Sequence, residues 1–336
     1  MALEYADSFD AYTTSQLARR YSSFYGTAIN SPGPNGSGQY LLAISQANDR
    51  NFVYFSITPR SEYYAGWDFY SPSPSGAMID FQTAGGISIC KFTSGSAIST
   101  QFGNSSSGIM VANTWYQVQV YVKRHATAGI IIVKVDGTTV ISLSGLNTGT
   151  SDIGQIMIAH GNFNASSNAD RWANLWIFNT LGTHSNGFPT GRMKVQPLLP
   201  AADGTYTDWT PNSGSTHYTQ VDEAQADDDT AYNSTVTAGN KDSYGIDAIS
   251  GSPAQIHGVI VTAIARKTDV NSKNYQVFSK SGATETYSSD IAAALTYASS
   301  TANGADALLH TDDPNTSAQW AQTNLNAIEI GAKVTL

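Results

Sequence analysis

The stretch that decides the fold is TWYQVQVYVKRH, residues 114–125, which is followed at 129–145 by GIIIVKVDGTTVISLSG. In the first part, alternate side chains point to opposite faces of an extended strand. One face holds an aromatic residue and three valines: Tyr116, Val118, Val120 and Val122. The other face is mostly polar: Gln117, Gln119, Tyr121 and Lys123. This alternation predicts a strand that covers a core with one side.

Asp136 and Gly137 separate the two apolar runs of the second part. A two-residue hairpin of type I′ needs a positive φ at both central positions, which Asp-Gly adopts readily. The segment therefore predicts a tight β-hairpin.

Similar short runs recur on both sides of this hairpin, separated by Gly, Ser, Thr and Asn. The clearest are NFVYFSITP (51–59), GAMIDFQTAGGISICKFTS (76–94), DIGQIMIAHG (152–161) and RWANLWIFNT (171–180). This pattern is typical of an antiparallel sandwich. We predict an all-β protein in which residues 1–182 form a first β-sandwich of about a dozen strands.

The composition changes over residues 183–215, where Gly and Pro come at close intervals, and we interpret this stretch as a connector. Residues 216–336 contain further strand patterns, including NYQVFSKSG (274–282) and AIEIGAKVTL (327–336), and predict a second, smaller sandwich of jelly-roll type. One short helix is expected near the C-terminus in DPNTSAQWAQTNLN (313–326), with Asp313 or Thr316 as its cap.

Charge and composition exclude several partners. The net charge is −9 with 17 Lys and Arg, whereas nucleic-acid binding needs clustered cations. No run approaches 18 apolar residues, so we expect no membrane insertion. The N-terminus lacks an apolar segment behind positive charges, so we expect no signal peptide and synthesis in a cytoplasm. The single cysteine, Cys90, lies in the alternating run GISICKF and is expected to be a buried thiol.

Catalytic patterns are missing from the sequence. Sandwich glucanases place carboxylates two residues apart on one strand face, yet none of the five glutamates has an acidic residue two positions away. The sequence also has no G-x-S-x-G motif and no closely spaced histidine pair for zinc. We therefore expect no enzymatic activity and no cofactor, and polysaccharide hydrolysis stays a minor alternative.

Two stretches offer candidate binding residues. SEYYAGWDFY (61–70) contains Tyr63, Tyr64 and Trp67, which could stack on a sugar if they are exposed. The alternative is that every second ring faces the core. VDEAQADDDTAYNS (221–234) contains Asp227 and Asp229 as candidate calcium ligands, but the spacing of an EF-hand is missing, and a solvated turn is the favoured interpretation.

Several of these residues resemble a known group of proteins. ADSFDAYTTSQLARRYSS (6–23) resembles the start of tailed-bacteriophage virion proteins whose first domain is a concanavalin A-like, laminin-G-like sandwich. The junction 191–246 is similar to a segment that links this domain to a C-terminal sandwich in such proteins. Its most distinctive features here are Trp209-Thr210-Pro211 and Lys241-Asp242-Ser243-Tyr244.

The resemblance implies a non-enzymatic structural protein of a tailed-phage virion, assembled in the host cytoplasm. The first hypothesis is a tail-associated protein, in a fibre, a tip or the baseplate periphery, that contacts a host-surface glycan. The alternative is a head decoration protein that stabilises the capsid. In either case other virion proteins are the expected partners, and we expect a homo-oligomer, with a trimer as the candidate.

One departure from the resemblance concerns a cation. Related proteins often have an Asp-Asp pair before the last strand of the first domain, where this chain has Ala173 and Asn174. A cation that depends on that pair is therefore in doubt here.

Overall fold

The computed structural model describes residues 1–21, 23–34, 38–43, 51–74, 77–95, 97–160, 170–182, 187–300 and 308–336. The chain divides into two compact units, one reaching from Met1 to Val195 and the other beginning at Gln196. The division falls inside the predicted connector, 183–215. The domain limits predicted at 182 and 216 stay predictions.

The first unit contains fifteen strands in its described residues and one short helix. The strands are β1 (Ala2–Asp7), β2 (Ser23–Tyr25), β3 (Thr27–Asn30), β4 (Tyr40–Ala43), β5 (Asn51–Arg60), β6 (Glu62–Ser71), β7 (Ala77–Gln82), β8 (Ser88–Thr93), β9 (Ser99–Thr100), β10 (Gly103–Asn104), β11 (Thr114–Lys123), β12 (Gly129–Val135), β13 (Thr138–Leu146), β14 (Ile153–His160) and β15 (Arg171–Asn179). The helix α1 (Leu17–Arg20) follows a 3-10 turn at Thr14–Gln16.

These strands form two antiparallel sheets. The eight-stranded sheet has the order β13-β12-β11-β6-β15-β4-β3, with β1 also paired to β15. The seven-stranded sheet has the order β10-β9-β8-β7-β14-β5-β2. Side chains of both sheets belong to one core; for example, Tyr5 of β1 stacks on Phe55 of β5 with ring centroids 4.1 Å apart. The first unit is therefore a β-sandwich, as predicted.

The strand and hairpin that decided the fold lie where the sequence placed them. Val118, Val120 and Val122 are fully buried in the core. Asp136 and Gly137 have φ values of 46° and 80°, so the turn between β12 and β13 has the positive φ values of type I′. Cys90 is also buried in the core, and burial raises the pKa of its thiol.

A segment of the first unit lies over the outer face of the eight-stranded sheet. The side-chain amide of Gln117 donates to the carbonyl of Met193 at 3.3 Å, and that of Gln119 to the carbonyl of Pro189 at 3.5 Å. Phe188 packs edge-on against Tyr64 with centroids 5.1 Å apart. These contacts explain why the polar face of β11 is buried as well as its apolar face.

The second unit contains fourteen strands in its described residues and one short helix. The strands are β16 (Pro200–Thr207), β17 (Thr210–Pro211), β18 (Asn233–Ser234), β19 (Lys241–Ile246), β20 (Val259–Val261), β21 (Ile264–Ala265), β22 (Asn274–Ser281), β23 (Thr284–Tyr287), β24 (Ile291–Ala292), β25 (Ala298–Ser299), β26 (Leu308–His310), β27 (Asp312–Asp313), β28 (Ala318–Gln319) and β29 (Glu329–Val334). The helix is α2 (Gln322–Leu325), and a 3-10 turn spans Tyr218–Gln220.

The main sheet of the second unit has six strands in the order β16-β19-β29-β22-β23, with β24 also paired to β22. The two-stranded ribbon of β20 and β26 packs on one face of it, where Val261 and Leu308 meet Tyr275 and Val277. Both units are thus built of antiparallel strands in packed layers, and the predicted all-β class is confirmed.

The C-terminal helix is shorter than the sequence predicts, and its predicted caps are wrong. The N-cap is Ala321. Asp313 instead closes a turn, in which its carboxylate accepts hydrogen bonds from the backbone N–H of Asn315 at 3.0 Å and from the hydroxyl of Thr316 at 3.1 Å. Side chains of this kind compete with the helix for local hydrogen bonds, so β27 and β28 form a small hairpin before the helix begins.

Candidate functional site

The aromatic run at 61–70 divides between the core and the outer face of the eight-stranded sheet. Tyr63 and Trp67 are fully buried with 0% exposure, so neither ring can meet a ligand, and for them the core interpretation holds. Tyr64 points to the outer face and stacks on Tyr121 at 4.4 Å between centroids. The physical reason is that β6 is a central strand, so alternate side chains must fill the interior.

The acidic stretch at 221–234 is tied into the second unit by hydrogen bonds. Asp227 Oδ1 accepts from the backbone N–H of Ala231 at 3.3 Å. Asp229 forms an ion pair with Arg266 and accepts from the hydroxyl of Tyr297 at 2.9 Å. Throughout the described ranges, no group of three or more His, Cys, Asp or Glu side chains is arranged to hold a metal ion.

Asn174, one of the two departures from the resemblance, donates a hydrogen bond to a buried carboxylate. Its side-chain amide donates to Asp68 Oδ2 at 2.6 Å, and Arg192 pairs with Asp68 Oδ1 at 2.8 Å. Burial raises the pKa of Asp68, against the effect of these two partners. The other departure, Ala173, is a buried apolar residue. This part of the fold is therefore occupied by an internal polar network.

Two histidines of the second unit lie in buried polar pairs. His217 Nδ1 is 2.9 Å from Asp242 Oδ1, and Ser279 Oγ is 2.8 Å from His310 Nε2. Neither pair extends to a catalytic triad in the described residues, since no hydroxyl or thiol is hydrogen-bonded to His217 Nε2. Ser279 has 0% exposure. Both pairs hold the interior of the unit together.

The outer face of the seven-stranded sheet brings polar and aromatic side chains together in rows. In the register of the sheet, Lys91 of β8 lies opposite Asp80 of β7, Asp80 opposite Met157 of β14, and Met157 opposite Tyr54 of β5. Gln82 lies beside Gln155 in the neighbouring row. Because strands lie about 4.8 Å apart, the row from Lys91 to Tyr54 spans about 14 Å.

Asp80 is the buried centre of the polar end of this face. Ser88 donates to its Oδ1 at 2.7 Å and Gln82 to its Oδ2 at 2.8 Å. Burial raises the pKa of the Asp80 carboxyl, while these two hydrogen bonds and the charge of Lys91 act to lower it. The carboxylate therefore orients the exposed hydroxyl of Ser88.

A cleft of about 430 Å³ opens beside this polar end. Its lining combines one ammonium group with hydroxyls and an amide: Ser88, Lys91, Thr93, Ser99, Thr100 and Gln101. Gln101 links the short hairpin of β9 and β10 to β8, because its side-chain carbonyl accepts from the backbone N–H of Lys91 at 3.2 Å. The cleft is thus held by the hairpin rather than by a free loop.

The opposite end of the same face is aromatic. Tyr25 is 47% exposed, and its ring lies 6.4 Å from that of Phe52. Phe52 in turn lies 4.7 Å from Tyr54. We call these three residues, Tyr25, Phe52 and Tyr54, the aromatic row. Partly exposed rings that lie beside hydrogen-bonding groups suit a ligand with both apolar and polar surfaces.

The aromatic row and the cleft were not among the predicted site residues, although a signal for them was present. In MIDFQ (78–82), ISICKF (87–92) and FVYF (52–55), polar or aromatic residues alternate with residues that the core requires. Core-facing and outward-facing residues therefore alternate along each of these strands. The sequence does not show that these three strands belong to one sheet, in which β14 lies between β7 and β5.

No family model matches the chain, and no curated protein sequence matches it. Solved structures are similar to the first unit at low identity. A sialidase matches with a TM-score of 0.42 and 17% identity over 54% of this chain and 19% of its own. The chain thus corresponds to a minor part of that protein.

Two smaller proteins are covered almost completely. Alginate lyase Aly36B matches with a TM-score of 0.40 and 14% identity over 53% of this chain and 98% of its own. The lectin UEA-II, solved with galactose, matches with a TM-score of 0.34 and 9% identity over 52% of this chain and 98% of its own. These are similarities of fold.

Proposed function

We propose that the protein binds a glycan, without cleaving it, on the outer face of its seven-stranded sheet. The observation that supports this most directly is that the aromatic row and a hydroxyl-lined cleft lie on the outer side of the same sheet. Sugar rings present apolar C–H faces to aromatic rings and hydroxyls to polar side chains. The face provides both kinds of partner about 14 Å apart, which fits an oligosaccharide better than a single sugar.

Binding without hydrolysis is the form of this function that the residues favour. Glycosidases use two carboxyl groups that flank the scissile bond, about 5–10 Å apart. Among the described strands of the seven-stranded sheet, Asp80 is the single carboxylate, and it is 3% exposed. Its two oxygens already accept hydrogen bonds from Ser88 and Gln82. The described strands of this sheet therefore carry no second carboxylate of the kind that glycoside hydrolysis requires, which supports binding as the proposed function.

The biological setting that we propose is the surface of a tailed-phage virion, at the tail, where the glycan would belong to the host envelope. The support for this setting is the resemblance of residues 6–23 and of the junction 191–246 to virion proteins. Head decoration is the alternative setting. Immunogold labelling of intact virions separates them: gold at the tail supports the proposal, and gold over the head contradicts it.

The binding proposal is tested with Tyr54→Ala. The variant removes the ring that joins the aromatic row to Met157, and we expect affinity for host-surface oligosaccharides to fall about tenfold, which is about 1.4 kcal/mol. Isothermal titration calorimetry measures the change, and circular dichroism checks that the variant is folded.

The matched control is Tyr64→Ala, which removes a ring from the other sheet and should leave the affinity unchanged. Wild-type protein that binds no host-surface oligosaccharide would contradict the proposed function. So would equal affinities for wild type and Tyr54→Ala.

A further inference from the structure

The cleft beside the polar row has one charged side chain in its lining. Lys91 is half-buried there, among Ser88, Thr93, Ser99, Thr100 and Gln101. A lysine ammonium offers three hydrogen-bond donors and no acceptor. The hydroxyl hydrogens of Ser88, Thr93 and Thr100 are already donated to the Asp80 carboxylate and to two backbone carbonyls, so the ammonium group is the principal donor that the cleft offers. The lining thus favours an acceptor-rich, negatively charged group over a neutral one.

Within the part of the chain that the structure describes, Lys91 forms no contact ion pair. No carboxylate oxygen of these residues lies within 4.0 Å of its ammonium nitrogen. Asp80, its cross-strand neighbour, has both oxygens engaged by Ser88 and Gln82. A carboxylate in the cleft would therefore find an available partner.

The overall charge of the chain makes this local cation more informative. With a net charge of −9, the protein repels anions at long range. Since long-range attraction is missing, an anionic ligand depends on direct contacts with the protein. Hydrogen bonds between oppositely charged groups are the stronger contacts of this kind. Lys91 is the side chain in the cleft that can make such a contact.

We infer that the glycan is acidic and that the cleft binds the carboxylate of a uronic acid unit through the ammonium group of Lys91. This inference rests on the proposed function and specifies its ligand. The carboxylate-bearing unit occupies the cleft, at the end of the sheet opposite the aromatic row.

The test compares two sets of oligosaccharides of equal length, one containing uronic acids and one neutral, by calorimetry with wild type and Lys91→Gln. We expect wild type to bind the acidic set at least tenfold more tightly, and Lys91→Gln to lower the ratio of acidic to neutral affinity about tenfold. Lys123→Gln, which removes one positive charge from the eight-stranded sheet, is the matched control and should leave the ratio unchanged.

The outcomes separate the inference from the function on which it rests. If wild type binds neutral and acidic sets equally, or if Lys91→Gln keeps the ratio, the acidic specificity is wrong while glycan binding stands. If wild type binds neither set, the proposed function fails and the inference fails with it. Circular dichroism of Lys91→Gln confirms that a lower ratio does not come from unfolding.

Discussion

Replacing Trp67 with alanine tests whether this residue of the aromatic run at 61–70 is a core residue or a ligand-binding residue. Trp67 has 0% exposure on a central strand of the first unit. A buried tryptophan removes about 150–250 Å² from water, and at about 25 cal/mol per Å² this amounts to about 4–6 kcal/mol. That figure is an upper estimate because the unfolded chain already buries part of this surface. We expect Trp67→Ala to cost about 3–5 kcal/mol of the free energy of unfolding.

Trp67→Phe should be much milder for a specific reason. The indole Nε1 of Trp67 is buried without a hydrogen-bond partner among the described residues, and an unpaired buried donor costs about 1–3 kcal/mol. Phenylalanine removes this unpaired donor and keeps most of the apolar surface. The two effects oppose each other, so the net loss should stay below about 2 kcal/mol.

Urea unfolding followed by far-UV circular dichroism measures both variants, since tryptophan fluorescence would itself change with the substitution. Ile87→Ala, at a position that is 70% exposed in the same unit, is the control and should change stability by about 0.5 kcal/mol or less. If Trp67→Ala keeps wild-type stability but loses glycan binding, then Trp67 is a ligand residue and the core assignment is wrong.

Two further predictions concern the second unit. Gly331→Ala should cost about 3 kcal/mol of the free energy of unfolding, because a Cβ there would lie 2.1 Å from the carbonyl oxygen of Asp242 and 2.7 Å from Cε1 of Phe278. In the control Gly245→Ala on the same sheet, the nearest atom would be 3.7 Å away, so equal losses in urea unfolding would refute the steric explanation. Hydrogen bonds from Lys241, Tyr206 and Tyr287 hold the pKa of Glu285 at about 2, below its ordinary 4.5. Because the folded-state pKa is the lower one, this stabilisation is present above pH 4.5 and is lost as the pH falls towards 2. Glu285→Gln should reduce this acid-induced loss of stability by about 1 kcal/mol or less, since the ion pair of Glu285 with Lys241 is partly solvated. Thermal unfolding of both proteins between pH 7 and 2.5 measures the difference. The same dependence of stability on pH in both proteins would contradict the lowered pKa of Glu285.

Strand alternation and turn chemistry are local properties, and the sequence alone was enough to predict what depends on them. The alternation in 114–125 placed Val118, Val120 and Val122 on the core side. The Asp136-Gly137 pair predicted the hairpin between β12 and β13. The context of Cys90 predicted a buried thiol. Each of these conclusions needs only the geometry of one or two adjacent strands.

Other elements depended on neighbours that the sequence does not reveal. Strand β16 falls within the predicted connector, because the closely spaced Gly and Pro there, including Pro200 and Gly204, disfavour a strand. The strand nevertheless pairs along β19 at the edge of a sheet, where Pro is tolerated as a first residue. Besides its local turn contacts, the carboxylate of Asp313 accepts hydrogen bonds from Ser281 and Asn324, which are 32 and 11 residues away and belong to other elements of the unit. Local propensity could not anticipate either pairing.

The sequence by itself determined the class of this protein, two all-β units rich in antiparallel strands, because periodicity and turns are written in consecutive residues. It also led us to expect no enzymatic activity, because paired catalytic carboxylates were not seen, and that expectation stays a prediction. Only the tertiary structure decided which face could bind. It buried Tyr63 and Trp67 and brought β5, β7, β8 and β14 side by side. The aromatic row and the Lys91 cleft exist because strand order joins residues up to about 100 positions apart, and strand order is a property of the whole fold.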